Sequence, residues 1–161
     1  TQCHGKETIH LCSINVSKFD IQKLTIEAAY EVASNLLLED RREVEEGHGV
    51  DPVDIAYLAV QRPSAISFTA PNGKTAGMAG IEDDGIVWML CTPVIHQYPI
   101  AFVKGAKEFI DGRTIPFIHN IVDARNKVHL KLLKFLGFKF LEEISYGPNK
   151  LTFIKFTHGT I

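Results

Sequence analysis

Apolar and polar residues follow two different periods along this chain, and the period changes from one segment to the next. An alternating run at residues 8–14 predicts a strand, because a half-buried strand places every second side chain on the same face. Helical spacing then predicts a helix from about residue 18 to residue 38, with Ser17 as its cap. The apolar positions that repeat with this spacing are Ile21, Leu24, Ala28, Val32 and Leu36.

The segment from residue 39 to residue 49 is rich in charge and ends in glycines, so it forms either the end of a helix or a mobile loop. A second helix is predicted directly after it, because Asp51 is a good N-cap residue and Pro52 suits the first helical position. The acidic side chains of residues 39–46 are expected to face solvent, or to meet a basic patch on a neighbouring subunit.

Strand-like patterns dominate the chain from residue 64 onward. Three short runs predict three consecutive antiparallel strands, with a hairpin turn at Asn72-Gly73 and a second turn at residues 82–85. A helix, a buried strand, another helix and two final strands are predicted to follow. The three runs are residues 64–70, 75–81 and 86–92, and the later elements are about residues 100–110, 114–124, 126–138, 139–146 and 150–156.

This order of elements predicts one domain over residues 1–161 with a mixed α/β (α+β) fold. Three consecutive short strands must pair antiparallel, whereas the helix after them crosses over to a strand that runs parallel. The expected architecture is therefore a central, mostly antiparallel sheet with one parallel pair, flanked by helices.

Composition narrows the function classes. The 161 residues are 45% hydrophobic and 22% charged with a net charge of −2, which is typical of a globular domain and gives no electrostatic argument for nucleic acid over the whole surface. The longest apolar run, residues 86–91, is too short to span a bilayer. Residues 1–8 are polar and predict no signal peptide. The three cysteines are an odd number, so reduced thiols and a cytoplasmic setting are expected.

Chemistry-bearing residues are present, but their spacing predicts no catalytic residue and no metal site. The acidic cluster at residues 82–84 falls in a turn, and Glu142 and Glu143 point to opposite faces of a strand. The spacing of Cys3, His4, His10 and Cys12 fits no usual zinc site. Cys91 ends an apolar strand and is expected to be a buried, small hydrophobic residue.

One face of the helix at residues 126–138 is basic. Lys127, Lys131 and Lys134 share this face, Arg125 and Lys139 flank it, and it forms either a solvated surface or a contact site for an acidic partner or DNA phosphates. The opposite face is expected to pack in the core, and His129 is expected at the surface. The core positions are Val128, Leu132, Phe135 and Leu136.

The last helix and its end resemble the final motif of the Gcn-related N-acetyltransferase (GNAT) superfamily, which places an Asn before the helix and Gly-Phe after it. Asn126 and Gly137-Phe138 match this motif, and Gly137 is expected to end the helix in a left-handed conformation. The resemblance implies the GNAT fold. Leu133 occupies the position of the tyrosine that protonates the leaving CoA thiolate in many members, and His129 stands where a small residue is usual.

The family's diphosphate loop is altered in this sequence. Gln97 would begin that loop, yet Ile100 and Phe102 occupy its glycine positions and Pro99 lacks an N–H donor. The resemblance therefore implies no acyl-CoA in the usual pose and no expected cofactor. If acetyl-CoA does bind, the resemblance assigns it to Leu90, Thr92, Gln97 and Asn126.

A narrower resemblance covers roughly residues 85–156. Its shared residues resemble those of the GNAT-like internal virion proteins of short-tailed bacteriophages, which implies a non-catalytic role in virion assembly or genome ejection through contacts with phage structural proteins. The implied location is the host cytoplasm during infection and then the virion. A divergent acyl-CoA-dependent N-acetyltransferase is the alternative. The residues that match are Trp88, Asn126, His129, Leu130, Leu133, Gly137, Glu142 and Glu143.

Overall fold

A computed structural model describes residues 18–160 of the chain. The strand predicted at residues 8–14 and the cap predicted at Ser17 lie outside these residues, as do Cys3, His4, His10 and Cys12. Within the described residues the mixed α/β class is confirmed, with the expected alternation of strands and helices. No helix between residues 18 and 160 combines the length and the apolar character that crossing a membrane requires.

The first helix is shorter than predicted. Residues 18–25 are not helical: strand β1 (Asp20–Lys23) pairs antiparallel with a later strand, and helix α1 spans Ile26–Ser34. The helix begins at Thr25, whose hydroxyl accepts a hydrogen bond from the N–H of Ala28 at 3.2 Å. This capping position is the local signal that ends the strand, and it outweighs the apolar spacing of the residues before it.

The acidic segment is helical. Helix α2 (Leu38–Arg42) continues into one π-helical turn (Glu43–Gly47), and helix α3 spans Pro52–Val60. The start of α3 is confirmed, because the Asp51 carboxylate accepts the N–H of Val53 at 2.8 Å. A π-helical turn is rare and is often found at functional sites.

The first sheet contains four antiparallel strands in the order β1-β2-β3-β4. The hairpin turn at Asn72-Gly73 is confirmed, with Gly73 at a φ of 84° and its N–H bonded to Ala70. Strand bounds are Ile66–Thr69 for β2, Thr75–Ile81 for β3 and Val87–Cys91 for β4.

The second half of the chain begins with a 3₁₀ turn (Pro93–Gln97) that leads into helix α4 (Pro99–Asp111). A three-stranded antiparallel sheet with the order β5-β7-β6 follows, and helix α5 packs beside it. The remaining bounds are Ile118–Asp123 for β5, Lys127–Phe135 for α5, Lys139–Tyr146 for β6 and Leu151–His158 for β7.

The expected parallel pair in the middle of one sheet is reduced to a single contact. Strands β4 and β5 meet at one parallel bridge, between Ile86 and His119, and the Asn120 side chain donates to the Val87 carbonyl at 2.8 Å. No further bridge joins the two strands in the described part of the chain. The structure therefore contains two sheets that touch at one end and separate toward the C-terminal ends of β4 and β5.

Helix α5 buries the predicted face in part. Leu132 and Leu136 are buried as expected, but Phe135 is 60% exposed, and Leu133 lies in the core. The helix ends as predicted, with Gly137 at a φ of 89° and the Phe138 N–H bonded to the Leu133 carbonyl. This ending turns the chain into β6.

Candidate functional site

A cleft of about 470 Å³ lies between the separating strands β4 and β5. Its walls come from the middle of both strands, from the π-helical turn after α2, and from α3, α4 and α5. Glu43 from the π-helical turn and His129 from α5 border the cleft, as do Met89 and Val122. The cleft exists because the two strands pair at one end only.

On the edge of β4 that faces this cleft, one residue has an N–H and a C=O that bond no group in residues 18–160. Alternate residues of β4 bond to β3, so the N–H and C=O groups of Val87, Met89 and Cys91 point toward β5. The Val87 carbonyl accepts a hydrogen bond from the Asn120 side chain. The Cys91 N–H donates to Asp40 in α2, and the Cys91 carbonyl accepts the N–H of Leu37, the residue before α2. No group in residues 18–160 bonds the N–H or the C=O of Met89.

Two acidic residues close the wide end of the gap. The Asp40 carboxylate accepts the N–H of Cys91 at 2.8 Å, and the Glu43 carboxylate accepts the N–H of Asp123 at 2.8 Å. The expectation that the acidic run faces solvent is wrong for these residues, and Asp40 is only 1% exposed. Once the strands separate, their last amides have no strand partner, and a buried N–H without a partner is costly. Residues three apart on a helix share a face, so both carboxylates reach the gap.

Asn126 holds the two acidic residues in place. Its side-chain amide donates to Asp40 at 2.9 Å and lies 3.5 Å from Glu43, while its oxygen accepts the N–H of His129 and caps α5. Asn126 is fully buried. The residue that matches the GNAT motif is therefore part of the polar cluster at the wide end of the cleft.

His129 is buried, which contradicts the expectation of a surface position. The residue is 9% exposed, and its Nε2 lies 3.1 Å from Oδ1 of Asp40. This contact is an ion pair without the geometry of a hydrogen bond, and Nε2 makes no hydrogen bond in the described residues. Lys127 and Lys131, two residues away on either side, remain exposed. Helix α5 starts at Asn126, so His129, three residues later, faces inward and lies above Asp40.

Cys91 completes this cluster. Its side chain is fully buried, as expected, but it has polar neighbours: one donor atom each from Cys91, Asp40 and His129 lie within 4.8 Å of one another. Burial raises the pKa of the Cys91 thiol. The thiol is therefore protonated at neutral pH unless another group replaces the proton.

Burial also changes the acid–base properties of the carboxyl group that borders the cleft. Removal from water raises the pKa of Glu43 to about 7, although the positive charge of His129 and the Asp123 N–H partly oppose this shift. Burial alone would lower the pKa of His129, but the charge of Asp40 raises it well above its ordinary value. The cleft thus contains a carboxyl group that exchanges a proton near neutral pH, next to a buried ion pair.

Arg125 has its guanidinium group bound within the chain. It pairs with Asp123 at 2.8 Å and with Glu46 at 2.7 Å. Burial alone would raise the pKa of Asp123, but the bonds from Arg125 lower it below its ordinary value. Lys127, Lys131 and Lys134 are exposed, so the structure places the predicted partner-binding residues in two groups.

We expect Arg125→Ala to lower the free energy of unfolding by about 1–3 kcal/mol, because Asp123 then stays buried without its counter-charge. The loss is limited because the site of Arg125 is partly exposed and water can reach it. The lowered pKa of Asp123 means that this ion pair stabilises the fold at neutral pH and is lost as the pH falls through that pKa. Urea unfolding at pH 7 and at pH 3 measures the difference. A difference that is the same at both values would contradict this assignment, and Lys127→Ala is the control.

The start of α4 is a poor cradle for a diphosphate. Pro99 has no N–H, Ile100 is 81% exposed, and the N–H of Phe102 is already bonded to the Tyr98 carbonyl. In the preceding 3₁₀ turn the N–H of Val94 is bonded to the Thr92 hydroxyl. Backbone amides that point together at a helix start are what binds a diphosphate. The residues here do not fit that part of acyl-CoA.

The four residues assigned to acetyl-CoA by resemblance lie in different places. Leu90 borders the cleft, and Asn126 lies at the wide end. Thr92 is buried, with its N–H and its hydroxyl turned toward β3, and Gln97 is exposed and bonded to Asn72. The structure therefore places Leu90 at the cleft and Asn126 in the polar cluster at its wide end, and leaves Gln97 apart.

Sequence reasoning missed Asp40, Glu43 and His129 as members of one cluster. Asp40 and Glu43 sit in an acidic run that reads as a solvated surface, and His129 sits among lysines. The only local signal was the three-residue spacing of Asp40 and Glu43 next to the aliphatic residues 36–38.

No protein-family model matches this sequence, and no curated protein matches it. Solved structures do resemble the fold. The GNAT-family acetyltransferase from Bacillus anthracis aligns with a TM-score of 0.64 at 8% identity, covering 88% of this chain and 95% of that chain. The ribosomal-protein-S18-alanine N-acetyltransferase from Escherichia coli gives 0.62 at 17% identity, covering 88% and 93%. Ard1 from Thermoplasma volcanium gives 0.65 at 10% identity, covering 89% and 98%.

These similarities show that the chain has the fold of the GNAT acetyltransferases. At these low identities the similarity shows the fold alone, so an activity has to be argued from the residues of the cleft.

Proposed function

We propose that this chain is a divergent N-acyltransferase that holds the arm of a thioester donor in the cleft between β4 and β5, with Glu43 as the base. One observation carries the proposal: in a GNAT fold, the separation of β4 and β5 leaves the Met89 N–H and C=O without partners among residues 18–160, in the same cleft as a carboxyl group with a pKa of about 7.

The cleft suits the arm of a thioester donor. A pantetheine arm is an extended chain with two amides, and the Met89 N–H and C=O offer one donor and one acceptor along a strand edge. The surrounding side chains of Leu90, Val122 and Leu133 are apolar and exclude water. When bound, such a donor supplies an acyl group activated for transfer to an amine.

Glu43 is suited to accept a proton from an amine substrate. A carboxyl group with a pKa of about 7 is ionised in about half of the molecules at neutral pH, and a base works best when its pKa lies near the working pH. The Asp123 N–H fixes one carboxylate oxygen, which leaves the other for the acceptor. Leu133 cannot protonate a leaving thiolate, and no residue is assigned that role.

Donor affinity is expected to come from the arm and the acyl group alone. The first turn of α4 offers fewer free amides than a diphosphate cradle needs, because Pro99 lacks an N–H and the N–H of Phe102 is bonded to the Tyr98 carbonyl. We therefore expect acyl donors that lack a nucleotide to be accepted to the same extent as acetyl-CoA.

The experiment that tests the proposal is an acyl-transfer assay with acetyl-CoA and with S-acetylpantetheine against a panel of amines, including peptides with a free N-terminus. Release of the free thiol that depends on both amine and protein is the expected result. No release above the uncatalysed rate with any amine, while the protein is folded, would overturn the proposal.

The second candidate is a non-catalytic role in a phage particle, through contacts with phage structural proteins. The altered start of α4 and Leu133 at the usual tyrosine position favour it, together with the sequence resemblance over roughly residues 85–156. The comparisons with solved structures lend it no support.

This candidate predicts a surface effect that the enzyme does not need. The triple variant Lys127→Ala, Lys131→Ala and Lys134→Ala is expected to weaken binding to an acidic partner by about tenfold or more at low salt, since each exposed lysine contributes salt-dependent affinity. Pull-down of phage structural proteins, or binding to DNA, measures the effect. Unchanged association would exclude this face, and Lys104→Ala on α4 is the control.

A further inference from the structure

The buried cluster at the wide end of the cleft has a composition that the proposed acyl transfer does not use. Asp40 comes from α2, Cys91 from the end of β4 and His129 from α5, so three separate elements converge on one point. All three residues are buried. A thiol, an imidazole and a carboxylate are the three side-chain ligand types that zinc prefers.

The distances are close to those of a metal site. One donor atom from each residue lies within 4.8 Å of the other two, and Nε2 of His129 is 3.1 Å from Oδ1 of Asp40. Donors at about 2.0–2.3 Å from a tetrahedral zinc ion are about 3.5 Å apart. Small side-chain rotations are therefore enough to bring all three donors onto one ion.

The imidazole has an ion-pair contact in the cluster, the Asp40 carboxylate 3.1 Å from its Nε2, but no contact there with the geometry of a hydrogen bond. Nε2 of His129 is buried, is directed into the cluster and has no hydrogen-bond partner in the described residues. A buried polar atom that makes no hydrogen bond carries a cost in stability. A metal ion bound to this nitrogen would remove that cost.

Neighbouring groups already orient the proposed ligands. Asn126 donates to one oxygen of Asp40 and the Cys91 N–H donates to the other, and the Cys91 carbonyl accepts the N–H of Leu37. Hydrogen bonds of this kind hold metal ligands in position. His129 borders the cleft, whereas Asp40 and Cys91 lie behind it, so a fourth coordination position faces the cleft.

The charges of the cluster suit a divalent cation. The Asp40 carboxylate and a Cys91 thiolate together offset two positive charges, with a neutral imidazole as the third ligand. Metal binding releases the thiol proton and any proton on the imidazole to solvent. Without metal, the same residues form a His129–Asp40 ion pair beside a neutral thiol.

We propose that Asp40, Cys91 and His129 form a binding site for a divalent transition metal ion of the zinc type, with an open position toward the cleft. The ion fixes α2 and α5 against the end of β4 at the point where the two sheets separate. This inference concerns a different group of residues from Glu43 and Met89, and it stands or falls independently of acyl transfer.

Cobalt is the probe that tests it, because a cobalt–thiolate bond absorbs light in a characteristic band. The full chain with Cys3→Ser and Cys12→Ser retains Cys91 as its only thiol. After removal of metal with a chelator, titration of this variant with Co²⁺ is expected to produce the thiolate band with a one-to-one endpoint, and Zn²⁺ is expected to displace the cobalt.

Adding Cys91→Ser to that variant is expected to abolish the band, and His48→Ala serves as a control that leaves the band intact. Absence of the band in the variant whose only thiol is Cys91 would overturn the proposal, whatever the stability of the further variants. A band that persists after Cys91→Ser in protein that is folded by circular dichroism would overturn it as well.

Discussion

Asp40→Ala is expected to lower the free energy of unfolding by about 3–5 kcal/mol, the largest stability effect of any single side chain in the cluster. The carboxylate is 1% exposed and satisfies three groups at once: the Cys91 N–H, the Asn126 amide and the charge of His129. Its removal leaves a buried amide without a partner and a buried histidine without its counter-charge. Chemical denaturation at pH 7, in the presence of a chelator, measures the change.

Glu45→Ala is the matched control, because Glu45 belongs to the same acidic segment and is exposed. It is expected to change stability by less than about 0.5 kcal/mol. If Asp40→Ala and Glu45→Ala had the same small effect, the Asp40 carboxylate would not hold α2 against β4, and the description of the wide end of the cleft would be wrong.

Glu43→Gln is expected to lower kcat for acyl transfer by about 10²–10⁴-fold, the range that general base catalysis contributes. This prediction rests on the proposed function. The amide is nearly the same size as the carboxyl, and its oxygen still accepts the Asp123 N–H, so the fold is expected to be retained. The amide cannot accept a proton from the amine substrate. Steady-state kinetics, with thermal unfolding to check the fold, measures the effect.

Glu82→Gln is the control for this substitution. Glu82 borders the same cleft, but its carboxylate is bonded to Ser64 and Trp88. Because Glu82 takes no part in the proton transfer, the substitution is expected to leave kcat within about twofold of the original value. A large loss with Glu82→Gln and none with Glu43→Gln would assign the base to the opposite side of the cleft.

Features with a local cause could be predicted from the sequence. Asp51-Pro52 starts a helix, Asn72-Gly73 forms a hairpin turn and Gly137 ends a helix with positive φ, because each depends only on the conformational preferences of a few neighbouring residues. The order of strands and helices followed from the same signals, and with it the mixed α/β class.

The functional cluster could not be predicted, because its members are adjacent only in the folded chain. Asp40 and His129 are 89 positions apart, and each has neighbours in sequence that are charged and exposed. Asp40 points inward because the Cys91 amide needs a partner after β4 and β5 separate, and His129 points inward because α5 starts at Asn126. That separation was not visible in the sequence, which predicted a regular parallel pair.

The prediction for the start of the first helix was wrong for a related reason. Ile21 and Leu24 have helical spacing, yet residues 20–23 complete an edge of the first sheet by pairing with β2. Pairing across the sheet and the cap at Thr25 together outweigh the local periodicity.

The measurement that tests the central claim most directly compares the affinity of the protein for acetyl-CoA and for S-acetylpantetheine by isothermal titration calorimetry. If the cleft holds the arm while the start of α4 holds no diphosphate, the two dissociation constants are expected to agree within about threefold, a difference below about 0.7 kcal/mol. Acetyl-CoA binding more than about tenfold tighter would contradict the account. Absence of binding by both compounds would contradict it as well.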